Sequence, residues 1–519
     1  MRDAARLPSG WTLATLGVIA DLKGGVTKGQ RYGAAEKLTT VPYLRVANVQ
    51  RGHLDLSSVT EIAVPVQRVA ELRLVPGDVL FTEGGDRDKL GRGWVWQGEL
   101  PLCIHQNHVF RARIRGQTIL PKLLSWYGNT MGQAYFLEHG KQTTNLASVN
   151  MTKLGELPVL IPPAKEQAKI VDEVETQLSR IDAGVAALER VQANLKRYRA
   201  SVLKAAVEGR LVSTEAELAR AEGRDYEPAD KLLGRILKER RARWEAAALA
   251  KMKAKGKPPT DDRWKAKYIE PEPPDTSGLP ELPEGWGAAT LEQITSAVRV
   301  ICYGILMPKE HVPDGVLYVK VKDLRGDRLD VSTLSRTHPT IAAKYDRASL
   351  AAGDLLLAIR GTYGRVAEVP PELDGGNITQ DTARLAVLLP LDRRFVAASL
   401  RSPTTQRYFA RVARGVAVKG VNIGDVRPTV VLVAPLAEQR RIVDEVERQL
   451  SAINEIEQAI GTSRRRSAHM RQAILRHAFE GKLVPQDPND EPAALALDAG
   501  GKTPRNCARV RVDKKARKP

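Results

Sequence analysis

The apolar positions of this chain follow two different rhythms, and each rhythm occurs twice. In residues 1–160 and 276–432 the apolar runs are short and broken by Gly and Pro. VPYLRVANV, DVLF and HVFRARI in the first stretch, and VLYVKV, DLLLAI and ARLAVLL in the second, read as strands separated by turns. LLSWYGNTMGQAYFLEH (123–139) and FVAASLRSPTTQRYFARVA (395–413) carry helical spacing. The second rhythm begins after Pro162-Pro163 and again after Pro435. There apolar residues step by three and four: Val171, Val174, Leu178, Ile181, Val185, Leu188, Leu195 and Val202. That spacing predicts a helix over 164–208 with an a/d seam, roughly 65 Å long, interrupted by Gln192 and Arg199 and ended by Gly209. The later copy starts alike with Val443, Val446, Leu450, Ile453 and Ile460, then turns polar at Arg464, Ser467 and Arg471. An amphipathic rod of this length needs a partner, and the other copy's rod is the nearest candidate.

The repetition extends to identities. Leu7-Pro8-Ser9-Gly10-Trp11 returns as Leu282-Pro283-Glu284-Gly285-Trp286, each followed by Ala-Thr-Leu. EQAKIVDEVETQLSRID (166–182) aligns with EQRRIVDEVERQLSAIN (438–454), with twelve of seventeen positions identical. LKAAVEGRLV (203–212) aligns with LRHAFEGKLV (475–484). The chain is therefore two copies of one module. The expected fold class is α+β: two duplicated domains separated by a pair of long antiparallel coiled-coil-like helices, pseudo-twofold. The expected domains are 1–160 and 276–432, with spacer helices 161–212 and 433–484. A helix plus a basic Pro/Lys-rich linker fills 213–275, and a basic disordered tail fills 485–519.

Charge adds a partner class. The 519 residues, enough for about three or four domains, carry a net charge of +19. Most of the excess sits in two places: residues 231–270 hold 13 Lys/Arg against 5 Asp/Glu, and residues 502–519 hold 8 against 1. A basic excess suits a polyanion, nucleic acid before membrane. Aromatics at 5% disfavour a single-strand stacking platform. No apolar run approaches the ~20 residues of a membrane span, and MRDAARLPSGW lacks a signal's apolar core, so a cytoplasmic protein is expected. Cys103, Cys302 and Cys507 lie far apart, and no Cys-x-x-Cys occurs.

Catalytic motifs are missing. Ala499-Gly500-Gly501-Lys502-Thr503 lacks the first glycine of a phosphate-binding loop, because position 496 is alanine. There is no Asn-Pro-Pro-aromatic tetrapeptide, no Gly-x-Ser-x-Gly and no zinc-protease motif. The eight histidines show no ligand spacing with carboxylates or cysteines, so catalytic and metal-binding residues are expected to be none. Donor-rich loops are present instead. The first copy has Arg45, Asn48, Gln50 and Arg51, then Arg87, Lys89 and Arg92, then Gln106 and Asn107. The second has Lys320, Lys322 and Arg325, then Arg360, Thr362, Tyr363 and Arg365, then Gln380. Arg and Lys suit phosphates and guanine edges, Asn and Gln adenine edges. As a set these loops are candidate DNA contacts.

The order of these motifs, LPxGW, then the Glu-Gln helix start, then AVEGRLV or AFEGKLV, resembles the specificity subunit of a Type I restriction–modification system over about residues 7–494. The resemblance implies a non-catalytic subunit whose two domains each read half of a bipartite double-stranded DNA target. It implies two modification (methyltransferase) subunits and restriction (ATPase/nuclease) subunits as partners, directing adenine methylation and restriction. S-adenosylmethionine, ATP and magnesium would sit on those partners, none on this chain. After about 498 the sequence departs from the first copy, which has a basic helix there. An interaction scaffold of duplicated protein-binding domains is the alternative reading.

Overall fold

The computed structural model describes residues 7–33, 35–85, 89–142, 147–324 and 329–499. The chain divides into two compact units. One holds the residues up to Glu189 together with those from Gly461 onward; the other is Arg190–Ile460. Each unit mixes helices with several small sheets, and the two are built to one plan.

In the first unit a four-stranded antiparallel sheet runs in the order Ala20–Gly24, Val109–Ile114, Val79–Thr82, Gly93–Val95. A second sheet centres on Leu38–Leu44, paired antiparallel with Thr60–Pro65 and parallel with Ile104–His105. Thr12–Thr15 pairs antiparallel with Pro158–Ile161. The second unit repeats each pattern. Its four strands are Cys302–Tyr303, Thr382–Leu385, Leu355–Ala358 and Val366–Glu368. Val316–Val319 sits between Ser335–Thr337, antiparallel, and Asn377–Ile378, parallel. Gly287–Thr290 pairs with Val430–Val433. The first unit's largest core joins Phe81, Phe110, Leu123, Tyr127 and Phe136; the second unit's joins Leu291, Leu355, Leu385, Val396 and Phe409.

Equivalent buried charges reappear with the plan. Asp78 caps the turn at Val75 and binds Arg113; Asp354 caps the turn at Ala351 and binds Arg299. Arg111 and Arg384 are both buried on the central strand. Arg111 reaches Asp21 and the Glu71 carbonyl, and Arg384 the carbonyls of Ser349 and Val300. Burial holds the Arg384 guanidinium below its usual pKa range.

The long helices are Ala164–Val207 and Leu436–Phe479, the first within a residue of the length the seam implied. Each contributes to both units, and in each unit one packs on the other. In the first unit Asp182 bonds Arg471 and Glu189 bonds Arg464, so residue numbers rise on one helix as they fall on the other: the pair is antiparallel. In the second unit Arg199 reaches Asn454 and Glu457, and Tyr198 reaches Gln449. Arg199, Arg464 and Arg471, which interrupt the apolar seams, are thus the residues that bond across it. Val174 and Leu178 are buried in the first unit, and Val202, Val443, Val446 and Ile453 in the second. Ile181, Val185 and Leu188 are only half-buried.

The three repeated motifs meet in each unit. Pro-x-Gly-Trp forms a turn in which the Trp11 amide donates to the Pro8 carbonyl and the Trp286 amide to the Pro283 carbonyl. Glycine takes the positive-φ corner at 10 and 285. The turn aims the indole N–H at the helix-start glutamate: Trp11 Nε1 donates to Glu166 at 3.0 Å, Trp286 Nε1 to Glu438 at 2.9 Å. The adjoining glutamine stitches the helix to the domain. Gln167 accepts from the Leu120 amide and donates to the Pro162 and Thr118 carbonyls; Gln439 accepts from the Asp392 amide and donates to the Ala434 carbonyl. The third motif comes from the other copy's helix. Gly481 lies against Pro8, and Gly209 against Pro283 and Trp286, so closely that a Cβ at either would sit 2.7 or 2.5 Å from the proline. Both glycines have positive φ, as a helix-ending residue requires.

Three expectations are corrected. The apolar stretch 123–139 is two helices, Pro121–Asn129 and Met131–His139, because Thr130 leaves helical geometry. The stretch 395–413 breaks at Ser402, where Pro403 cannot continue a preceding helix and starts a new one. Residues 485–499, expected as part of a disordered tail, fold onto the first unit: Asp490 is buried near Lys165 and Lys169, the Ala493 amide donates to the Gly10 carbonyl, and Ala493–Ala499 is helical. The rest of that tail lies outside the described residues. The helix expected near 228–250 spans Ala229–Ala254.

Glu438 also accepts from the Glu215 amide at 2.8 Å, so one buried carboxylate ties three segments, and burial pushes its pKa up. Trp286→Phe keeps an aromatic side chain but removes the indole N–H donor to that carboxylate and leaves a smaller group in its place. A loss of about 1–3 kcal/mol is expected. It would be read as lowered amide-exchange protection at 287–290 and 436–446, with residues 12–24 unchanged.

Candidate nucleic-acid interface

The candidate residues fall into two groups in each unit. The first group is a row of loops joined by main-chain hydrogen bonds at the ends of the sheet strands. In the first unit the Val26 amide donates to the His105 carbonyl, and the Asn107 amide donates back to Val26, both at 2.9 Å. The Glu83 amide donates to the His108 carbonyl and the Val149 amide to the Glu83 carbonyl. The row therefore runs 25–30, 105–108, 83–85, 147–149. It brings Gln106 and Asn107, both half-buried, beside the segment that leads to Lys89. Arg87 lies outside the described residues.

The second unit repeats the row. The Ile305 amide donates to Ile378 at 2.7 Å, and the Gln380 amide to Ile305 at 2.9 Å. Ile359 donates to the Asp381 carbonyl, Val421 to Ile359, and Gly361 to Lys419. Gln380, Arg360 and Thr362 are thereby gathered on one row, with Arg360 and Thr362 exposed. Tyr363 instead packs its ring on the domain core. The close crossing needs glycine at 25 and 304, where a Cβ would lie 1.8 and 2.0 Å from a carbonyl oxygen.

The second group surrounds the loop after the parallel-paired strand. Arg92 Nη1 donates to Gln50 Oε1 at 2.9 Å and Nη2 to the Val46 carbonyl. Gln50 donates to Ala47, Arg51 to the Asn129 carbonyl, and Arg45 to the Ser58 carbonyl. Asn48 is buried; its amide donates to Asp55 and Ser58 while its oxygen accepts from the Arg45 amide. Every polar atom of the Asn48 side chain is engaged in the loop itself, so its place is in shaping the loop rather than facing a base edge. In the second unit Arg365 reaches the Leu324 carbonyl, as Arg92 reaches Val46, and Lys320 binds Ser335 over the Tyr318 ring. Lys322 is exposed on the same segment, and Arg325 lies outside the described residues.

The row also includes residues outside the donor-rich loops. Lys28 is exposed on the first segment of the first unit's row, and Arg31 is exposed just after it. In the second unit Leu306 and Met307 are exposed on the equivalent segment. Val416 is fully exposed at the tip of a loop closed by paired bonds between Arg414 and Gly420. Apolar side chains held out on a cationic rim suit contact with thymine methyl groups, a signal that charge and amide content cannot register.

No protein-family model matches the chain. It is 26% identical over 478 residues to the type I restriction enzyme EcoBI specificity subunit of Escherichia coli, covering 91% of this chain and 86% of that protein. It is 22% identical over 517 residues to the EcoKI specificity subunit of Escherichia coli strain K12, covering 93% and 91%. The chain is similar over most of its length to type I restriction-enzyme specificity subunits. Its fold agrees: a chain from a structure describing complex assembly and conformational transition of a type I R-M system superposes with a TM-score of 0.62 at 16% identity, over 92% of this chain and 99% of that one. Among the described residues no group of His, Cys, Asp and Glu is placed to hold a metal ion, and no helix is long and apolar enough to cross a membrane.

Beneath the first unit's row lies one buried titratable group. His105 Nδ1 contacts the Val109 carbonyl, and burial lowers its pKa from 6.5 to about 4. The second unit has Ile378 at the matching position, paired with Val319 as His105 is with Leu44. The unfolded chain takes up the proton first, so this term is fully present above pH 6.5 and is lost as pH falls toward 4. The shift corresponds to roughly 3 kcal/mol. His105→Ile is expected to flatten the pH dependence of first-unit stability between pH 6.5 and 4, measured by amide exchange at residues 104–114. An unchanged slope would contradict the assignment.

Proposed function

We propose that each unit reads one half of a two-part sequence in double-stranded DNA, and that the chain directs adenine methylation and restriction performed by partner subunits. The observation that carries this reading is the duplicated row: one main-chain framework with different side chains on it, Gln106, Asn107, Lys28 and Lys89 in one unit, Gln380, Arg360, Thr362 and Val416 in the other. A shared framework with divergent donors is what two reading heads for two different half-sites require. Arg92 and Arg365 brace the neighbouring loop from within, and the exposed cations of the row supply phosphate contacts that hold the register.

The chain itself is assigned no catalytic step. Two modification subunits would bring S-adenosylmethionine, and restriction subunits ATP and magnesium. The target bases include adenine, which must leave the stack to be methylated. Two linked heads make the second contact intramolecular, so modest half-site affinities combine. The long helices serve as spacer and as docking surface for the modification subunits, with half-site centres about 35 Å apart, one turn of the duplex.

Two experiments test this, both read by mapping methylated adenines in the reconstituted complex. Exchanging residues 1–160 for the matching domain of a relative is expected to change one half-site and leave the other intact; changes in both would overturn the one-unit, one-half assignment. Inserting one helical turn within 185–195 lengthens the helix by roughly 6 Å. A longer unread gap with unchanged half-sites is expected, and the original gap would refute the spacer role.

A further inference from the structure

The second unit carries a basic arm that the reading heads do not account for. The helix Ala229–Ala254 is anchored over its first half: Ala229, Leu232 and Ile236 are buried in the core, and Arg240 donates to the Thr295 carbonyl at 3.0 Å. Beyond Arg240 the helix leaves that core. The chain then turns back through the 3-10 segment Arg263–Lys267 and packs on the helix with an aromatic cluster of its own. Trp244 stacks on Trp264 with ring centroids 6.3 Å apart and contacts Tyr268 at 5.3 Å. Tyr268 in turn bonds Arg240 at 2.6 Å and lies under Arg241. The arm is therefore an ordered hairpin with a small core, not a solvated tail.

Its charges do not balance. All five carboxylates between 231 and 270 already have a partner within the arm: Glu239 with Arg243, Glu245 and Glu270 with Arg241, Asp261 with Arg263, and Asp262 with Lys265. Lys251, Lys253, Lys255, Lys257 and Lys267 are exposed and have no carboxylate partner among the described residues. Apart from Ile269, no large apolar side chain is exposed on the arm. A protein interface of ordinary kind has an apolar or aromatic centre; here the aromatics pack on one another, and the outward charges left without a carboxylate among the described residues are ammonium groups. Lysine is a point charge without the fork that reads guanine edges, so the surface suits phosphate and not sequence. Nothing equivalent follows Gly481 in the described part of the other repeat, where the chain runs through Asp487 and Asp490 into Ala493–Ala499.

We infer that this arm is a sequence-independent clamp for the phosphate backbone of duplex DNA, present on the second unit and additional to its reading loops. The inference rests on the DNA-binding function proposed above. The clamp raises affinity for target and non-target duplex alike and supplies an asymmetric share of the salt dependence of binding.

The test titrates the full chain with two duplexes, one of random sequence and one containing the methylation-mapped target, across a range of salt. The variant replaces Lys251, Lys253, Lys255, Lys257 and Lys267 by Gln, with Lys→Arg at the same five positions as control. The Gln variant is expected to bind both duplexes about tenfold or more weakly at low salt. Its log–log salt slope should be shallower by about 0.9 for each phosphate contact removed, with target preference unchanged and the Arg variant like wild type. An unchanged slope in a variant with wild-type thermal unfolding would overturn the clamp, as would an unchanged slope coupled to lost binding of the modification subunits. Absence of target preference in the wild-type titration would instead strike at the reading heads, so the two failures are told apart.

Discussion

The structure depends on one buried hydrogen bond made twice, from a tryptophan indole to the first glutamate of a long helix. Trp11 to Glu166 and Trp286 to Glu438 fix where each domain's first strand meets its helix. The glutamine next in sequence then ties the same helical turn to the far side of the domain, at Leu120 and Asp392. Because the third motif at each knot, Gly481 or Gly209, arrives from the other repeat, neither unit is completed by its own repeat alone. The repeats in the sequence and the units in space are offset from one another, and the long helices are where the exchange happens.

This explains a division between what recurs and what varies. The recurrent residues lie at the knots and along the seam. There a buried carboxylate, a positive-φ glycine and a packed indole each tolerate few neighbours. The differing residues lie on the rows and on the loops after the parallel strands, where the main chain supplies the connections. His105 against Ile378 shows the variation reaching one layer down, into the strand that supports the row.

Much of the fold was legible in the sequence. The repeated LPxGW, Glu-Gln and Glu-Gly segments announced the duplication, and three-and-four spacing drew the helix at 164–207 to within a residue. The polar breaks at Arg199, Arg464 and Arg471 looked like faults in the seam, since a single helix gives no hint that a facing acid or amide will meet them. The helix break at Thr130 has no proline to mark it, whereas Pro403 marked the break at Ser402. The ordering of 485–499 depends on burial of Asp490 and on a bond from Ala493 to Gly10, a contact nearly five hundred residues distant in sequence that composition cannot show. Of the candidate site, donor types singled out residues on both loop groups. They also drew in Asn48, whose amide serves its own turn, and passed over Val416 and Met307, which carry no donor.

The main-chain stitching of the rows has an evolutionary corollary. A surface whose cohesion comes from peptide groups asks almost nothing of the side chains that decorate it, and exposed replacements there cost the fold only a few tenths of a kcal/mol. Natural drift can then rewrite what such a surface prefers, position by position, while foldability stays level. The crossing glycines at 25 and 304 are among the exceptions: they form the narrow, immovable part of an otherwise permissive alphabet.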